Sequence, residues 1–453
     1  MFGDSGFLSP GWADTDLDTL LDDRAWLTAM IAVEAALARA QARIGMVPPD
    51  VPEAIAAVDP DRFDWPALVA GVRASGNPTV AFVGQLTSIV ASQHPRAAEY
   101  VHRGSTSQDI LDTATMLICR TVLDRVRQDL RRVASALAGL ASTHRDTLMA
   151  GRTLTQHAVP MTFGLKAAGW LNAVLDCLDR LHGHVLPVSL GGAAGTLAGY
   201  QEFTENALDL VEPFAAELGL AAPPLPWHGA RAPVAETGSL LALVTGTLGK
   251  LASDVEVLSR TEIGELTEPS APGRGGSSAM PQKRNPVYTT AILTSARQVP
   301  ALVSVLHLSM VVPDERSAGG WHAEWQPLRE SLRLTAGACR NAADLTEGLT
   351  ARPDRMLANL RLTGGAIVSE RLTAVLTPLL GKAKAKAVLT EATTATADQP
   401  DRLPDALADL LDDDPERWRA LCDPAGYLGA SRELTDRALA RHREHDRSTS
   451  PRQ

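Results

Sequence analysis

Long apolar stripes at helical spacing govern what this chain can fold into. Leu123, Val126, Leu130, Val133, Leu137 and Leu140 are spaced 3-4-3-4-3. Leu171, Val174, Leu178, Leu181 and Val185 are spaced 3-4-3-4, and Val244, Leu248, Leu251, Val255 and Leu258 run 4-3-4-3. Ile292, Ser295, Val299, Leu302, Leu306 and Ser309 follow the same rule with two small residues in the seam. Such alternation puts one apolar stripe on each helix, suited to long helices packed at about 20°. No βαβ alternation and no valine-rich runs bounded by turns compete with it. The expected fold class is all-α, built on a bundle of unusually long helices.

The segments around the stripes suggest three domains. Residues 1–100 hold shorter helices broken by prolines, 101–352 hold the long periodic helices, and 353–453 return to shorter ones. The polar tail from His445 onward is expected to be disordered. The net charge is −10 and aromatic residues make up 4%. That balance argues against nucleic acid as a partner, while a local basic pocket can still hold a small anion. The acidic start MFGDSGFLSPGWADTDLD has neither the basic nor the apolar region of a signal peptide. No run of about 18 consecutive apolar residues marks a membrane span. Four scattered cysteines without a CxxC pair fit a reduced, cytoplasmic setting and no metal module.

Four polar, glycine-bearing segments interrupt the helices. The first is His102 to Asp109, where Thr106 reads as an N-cap with Asp109 three residues on. The hydroxyls of Ser105, Thr106 and Ser107, beside a helix N-terminus, also suit a carboxylate. The second runs from Gly151 to Pro160 and carries Gln156 and His157, with Pro160 placed to open the next helix. The third, Ser189 to Thr196, lacks both a preceding strand and GxGxxG spacing, which excludes a dinucleotide loop. Close backbone approach explains its glycines better, and Trp227 to Arg231 lies nearby in sequence.

The fourth, Pro272 to Pro286, is the most informative. Its glycines and the backbone of Ser277 to Met280 can turn several N–H groups toward one anion, and Lys283 adds a positive charge. Asn285 fits an N-cap and Pro286 the first helical position. A glycine-rich loop closing over substrate would exclude water and strengthen those contacts.

This segment, PSAPGRGGSSAMPQKRNPV, closely resembles the GSS-x-MP-x-K-x-N loop of the fumarase/aspartase superfamily. HRGSTSQDILDTA and GRTLTQHAVPMTFGLK resemble that superfamily's first and second regions, so the likeness spans essentially the whole chain. Within it, these stretches together with SLGGAAGTLAG, DERSAGGWHAEW and the closing LCDPAGYLGASRELTDRALARH look most like the bacterial 3-carboxy-cis,cis-muconate cycloisomerases. The resemblance implies three helical domains and a homotetramer with a twenty-helix core, each site being built from three subunits. It implies a small polycarboxylate substrate and no cofactor. By similarity Ser277 exchanges the carbon-bound proton, His157 matches a proposed general acid, and Lys283 and Asn285 match carboxylate ligands. Ser105, Thr106, Ser107, Gln156, Ser278, Met280, Arg316 and Arg231 would complete the substrate contacts. The expected reaction is closure of 3-carboxy-cis,cis-muconate to its lactone in the β-ketoadipate pathway. The substrate's own carboxylate adds to the alkene and a neighbouring carbon is protonated.

Two departures qualify the match. Trp325 stands where adenylosuccinate lyases carry a further arginine for the nucleotide phosphate. After Trp227-His228 only Arg231 remains of a more basic cycloisomerase stretch. The second departure keeps a fumarate-releasing lyase on a substituted succinate, such as nitrosuccinate, as an alternative. A catalytically silent, crystallin-like scaffold is a more remote one.

Overall fold

The computed structural model describes residues 6–13, 15–270, 273–276 and 279–449. It is 68% helical. Five helices are long: Ser107–Thr143, Phe163–Gly183, Ala232–Leu258, Val287–Leu308 and Gly320–Gly348. The stripes read from the sequence are their buried faces. Leu123, Val126, Leu130, Val133 and Leu137 have no exposed surface, and Val244, Leu248, Leu251, Val255 and Leu258 are at most 3% exposed. The second stripe ends early: its helix stops at Gly183, and Val185 beyond it is 59% exposed.

Contacts divide the chain into two compact units. The first comprises Met1–Gln128, Asp179–Gly246 and Thr294–Arg340, the second Asp129–Leu178, Thr247–Leu293 and Asn341–Gln453. Each long helix contributes one stretch to each unit. In the first unit, the helices Asp23–Arg43, Trp65–Ser75 and Pro78–Ala91 pack on a core with Leu37, Phe82, Leu86, Ile110 and Trp321. Gly71 permits one close crossing there, since a Cβ on it would lie 2.4 Å from that of Ala81. In the second unit Leu360, Ile367, Leu372, Leu403, Leu407 and Trp418 form the core of the C-terminal helices.

Three local expectations change. The second polar segment is a β-hairpin, with Leu148–Thr153 antiparallel to Gln156–Thr162 and Arg152 facing His157. Pro160 therefore lies inside a strand. The next helix starts at Phe163, where Thr162 Oγ1 caps the Leu165 N–H at 3.1 Å. The hairpin turn is Leu154-Thr155, both with positive φ (47° and 71°), in place of the Asn-Gly pair that announces such turns. The helix predicted to begin at Pro286 begins at Val287. Its cap is distant: the Glu268 carboxylate accepts from the Tyr288 and Thr289 N–H groups at 3.3 and 2.9 Å. Asn285 instead donates its N–H to Gly275 O at 2.8 Å and closes the base of the loop. Finally, the polar C-terminal tail is helical through Thr449.

By length and composition the helix Val287–Leu308 is apolar enough to cross a membrane, with a mean hydropathy of 1.3 over its best window. The Ile292–Leu306 stripe lies on this helix, but Thr, Ser, Arg297 and Pro300 interrupt its apolar residues and leave no unbroken apolar run. Only 33% of that window is buried within the chain, so much of its apolar surface has no cover from the chain itself.

Candidate active site

The first unit gathers the His102–Asp109 segment around one buried carboxylate. Thr106 ends the approach to the helix, and its N–H donates to Asp109 Oδ2 at 3.2 Å, the backward half of the predicted capping box. Asp109 is fully buried and does more than cap. It accepts from the N–H groups of Gly191 (2.7 Å) and Gly192 (3.0 Å) and from the Tyr200 hydroxyl (3.0 Å), and pairs with His228 Nε2 (2.9 Å). A carboxylate so supplied with donors fixes the glycine loop against the helix start. Gly191 must be glycine there: a Cβ would lie 2.8 Å from His228 Cε1.

Arg316 joins this cluster. Its Nε donates to Gln108 Oε1 at 2.9 Å, and Nη2 to Thr106 Oγ1 at 3.1 Å and Ala193 O at 3.4 Å. None of these acceptors is charged, so the guanidinium keeps its net charge for an anion. Ser105 and Ser107 are half-buried beside it in the chain. Arg316 thus sits against Thr106, which Ser105 and Ser107 flank in the chain, without a carboxylate partner among the described residues.

Arg231 is placed differently from a substrate ligand. It is 3% exposed, and its guanidinium is shared between two buried carboxylates. Asp112 accepts at 2.6 and 3.1 Å, Glu324 at 2.6, 3.0 and 3.2 Å. The Trp321 indole N–H adds a bond to Asp112 at 2.8 Å. Burial opposes charge on Arg231, but the two carboxylates outweigh it and raise its pKa. Burial likewise pushes the Glu324 carboxyl up against the pull of Arg231. With its fork occupied, Arg231 serves as an internal tie. This tie borders a cavity of about 510 Å³ lined largely by Trp26, Trp65, Phe82, Leu111 and Trp325.

His102, at φ 60°, pairs through Nδ1 with the buried Glu34 carboxylate at 2.6 Å. Burial alone would lower its pKa, yet the Glu34 charge and hydrogen bond raise it overall. The pair therefore stabilises the fold fully below the ordinary histidine pKa and loses that contribution as pH rises through the folded value. Glu34→Gln is expected to cost about 1–3 kcal/mol at pH 6 and clearly less at pH 9. Urea midpoints at the two pH values test this, and an equal loss at both would contradict it.

The second unit presents His157 and the loop. His157 is half-buried on the second hairpin strand, with Nδ1 3.2 Å from Thr363 Oγ1. Burial, and then the Arg152 guanidinium, lower its pKa. Arg152 is itself anchored on the fully buried Glu265 at 2.5 and 3.1 Å, and Asn359 Nδ2 adds a bond to Glu265 at 2.8 Å. The neighbouring Gln156 is exposed. In the loop, Gly275 has φ 70° and a Cβ there would lie 2.6 Å from Asn285 O, so the turn requires glycine. A bridge between Gly276 and Arg284 and the guanidinium of Arg274 over the Tyr288 ring brace the loop's two arms. Lys283 is exposed and has no ion-pair partner among the described residues, and Met280 is 43% exposed. Ser277 and Ser278 lie outside the described residues.

Two polar clusters and a braced, cationic glycine loop are a recognisable set, and comparison with known proteins decides what it belongs to. The profile of a family described as Lyase matches residues 16–301. The nitrosuccinate lyase of Streptomyces davaonensis is 55% identical over 452 residues, covering 96% of this chain and 94% of its own. The chain belongs to the fumarase/aspartase superfamily. Within this superfamily it is also 42% identical to the 3-carboxy-cis,cis-muconate cycloisomerase of Pseudomonas aeruginosa, over 93% of both chains. The crystal structure of the 3-carboxy-cis,cis-muconate lactonizing enzyme from Pseudomonas putida matches with a TM-score of 0.90 and 38% identity. That match covers 97% of this chain and 100% of the other. The all-α fold expected from the stripes is the fold of this superfamily, and the protein is an enzyme of it.

Sequence reasoning had no means of finding Asp112, Glu324 or Thr363. Each acquires its role only through a partner more than 90 residues away. Asp109 did carry a signal, its i+3 spacing from Thr106, but that predicts a cap and not a hub.

Proposed function

We propose that this enzyme releases fumarate from a substituted succinate, with nitrosuccinate the favoured substrate. The observation that carries the reading is the burial of Arg231 between Asp112 and Glu324. Among the proposed site residues this leaves Arg316 and Lys283 as the cations for substrate. Two cations match a dicarboxylate; a third carboxylate would be held without a charge partner. The 55% identity to a nitrosuccinate lyase, against 42% to a cycloisomerase, supports the same choice.

In this mechanism Arg316 and the hydroxyls of Ser105, Thr106 and Ser107 hold one carboxylate. Lys283 and Asn285 hold the other. Ser277, as an alkoxide stabilised by loop N–H groups and Lys283, takes the proton from the carbon beside the second carboxylate. The C–H electron pair becomes the new C=C bond, and the C–N bond breaks with its pair leaving as nitrite. Nitrite departs as a weak base, so a hydrogen bond from the neutral His157 imidazole suffices to assist it. The proton on Ser277 returns to water. We further propose a homotetramer in which three copies supply the segments of each site. The thinly buried apolar helix Val287–Leu308, with Leu308 73% and Val311 beyond it 87% exposed, fits such a core.

A second reading, lactone closure of 3-carboxy-cis,cis-muconate, is favoured by the structural match at TM-score 0.90. Purified enzyme given each substrate separately distinguishes the two. Nitrite and fumarate formed in equal amounts, without loss of the muconate diene absorbance, is the expected result. Rapid diene loss with no nitrite would replace this proposal by the second reading.

A further inference from the structure

The His157 imidazole is aimed from outside its own hairpin. Its partner Thr363 sits in the turn Arg361–Val368 of the C-terminal helices. That turn has little freedom to move. Gly364 breaks it at φ 50° and ψ −142°, and a Cβ there would lie 2.2 Å from Pro400 O. A Cβ on Gly365 would lie 2.9 Å from Cys422 Sγ, and Ile367 and Val368 are buried in the core. The packed backbone that follows Thr363 in the chain therefore holds its hydroxyl in place. It has no other hydrogen-bond partner among the described residues.

Burial, more than any charge near it, disfavours the protonated form of the ring. Its charged neighbours are Arg152, locked to Glu265, and Glu265, and burial with Arg152 lowers its proton affinity. A neutral imidazole carries one N–H, and which nitrogen bears it is set by the bond at the other nitrogen. We propose that Thr363 is a positioning residue for His157. Its Oγ1–H donates to Nδ1, which places the ring proton on Nε2 and turns that N–H away from the turn, toward substrate. The C-terminal helices thereby help set the acid–base state of the site. This inference rests on the reading of His157 as the group that assists the leaving nitrite.

Nitrogen-15 NMR of imidazole-labelled, full-length enzyme reports the tautomer directly. The wild type is expected to show His157 protonated at Nε2. Thr363→Val, nearly isosteric, is expected to give a tautomer mixture and to lower kcat about tenfold, the worth of one oriented hydrogen bond. KM should stay within about twofold, since substrate carboxylates are held elsewhere. Thr363→Ser is expected to restore both tautomer and rate. An Nδ1-protonated ring in the wild type would overturn the inference, as would an unchanged tautomer and rate in Thr363→Val. His157→Gln separates the two levels. Loss of activity there beside an unaffected Thr363→Val overturns the inference alone. Full activity in His157→Gln overturns the reading of the site and the inference with it.

Discussion

Replacing Ser277 by alanine is expected to slow fumarate release by about 10²–10⁴-fold, the range that positioned proton transfer contributes. The proton to be removed sits on carbon next to a carboxylate, and its loss builds a second negative charge on that carboxylate. Both the developing charge and the alkoxide need fixed donors. The described loop offers them: Gly275 in a turn that requires glycine, the backbone of Gly276 beside it, and Lys283 with no ion-pair partner among the described residues. Because the change deletes one oxygen, helicity by circular dichroism and mass by sedimentation should equal those of the wild type. An undiminished rate in a correctly assembled Ser277→Ala would remove serine from the mechanism and with it the chemical logic of the loop.

Arg231→Met is expected to act on stability first. It leaves Asp112 and Glu324 facing each other without their cation in a site only a few per cent exposed. Removing one partner of a buried ion pair costs about 3–5 kcal/mol. Here two carboxylates share one guanidinium, so the upper part of that range is expected. The loss should ease as pH falls, since burial already favours the protonated form of Glu324 and protonation removes the repulsion. Denaturant midpoints at pH 5.5 and 8 provide the measurement. The opposite pattern, normal stability with a raised KM, would make Arg231 a substrate ligand and return the tricarboxylate reading to favour.

Much of this architecture was legible in the residues. A stripe at 3-4 spacing is a local property, and burial of Leu123, Val126 and Leu130 follows from it. The Thr106–Asp109 cap was legible for the same reason, being fixed within one helical turn. The hairpin was not. Its strands contain glycine and proline, and its turn uses Leu154 and Thr155, residues that carry no turn signal. The early end of the second stripe at Gly183 shows that periodicity outlasts a helix when loop residues happen to be apolar. Arg231 was legible as a basic residue but not as an internal one, since its partners lie on helices distant in sequence. Long-range pairing sets which charges remain for a ligand, and that is the point at which specificity escapes a reading of local pattern.

The turn at Leu154 and Thr155 has one more implication. Two successive non-glycine residues in the left-handed region store about 1–3 kcal/mol each, and Leu154 is 95% exposed, so contacts within the chain do not offset it. A screen for heat-resistant variants would find an easy gain here, with Asn-Gly relaxing the bend. The same relaxation would act two residues from His157, on the strand that carries it. Durability and turnover are therefore set against each other at a single bend: the pair that costs stability also shapes the strand on which His157 sits.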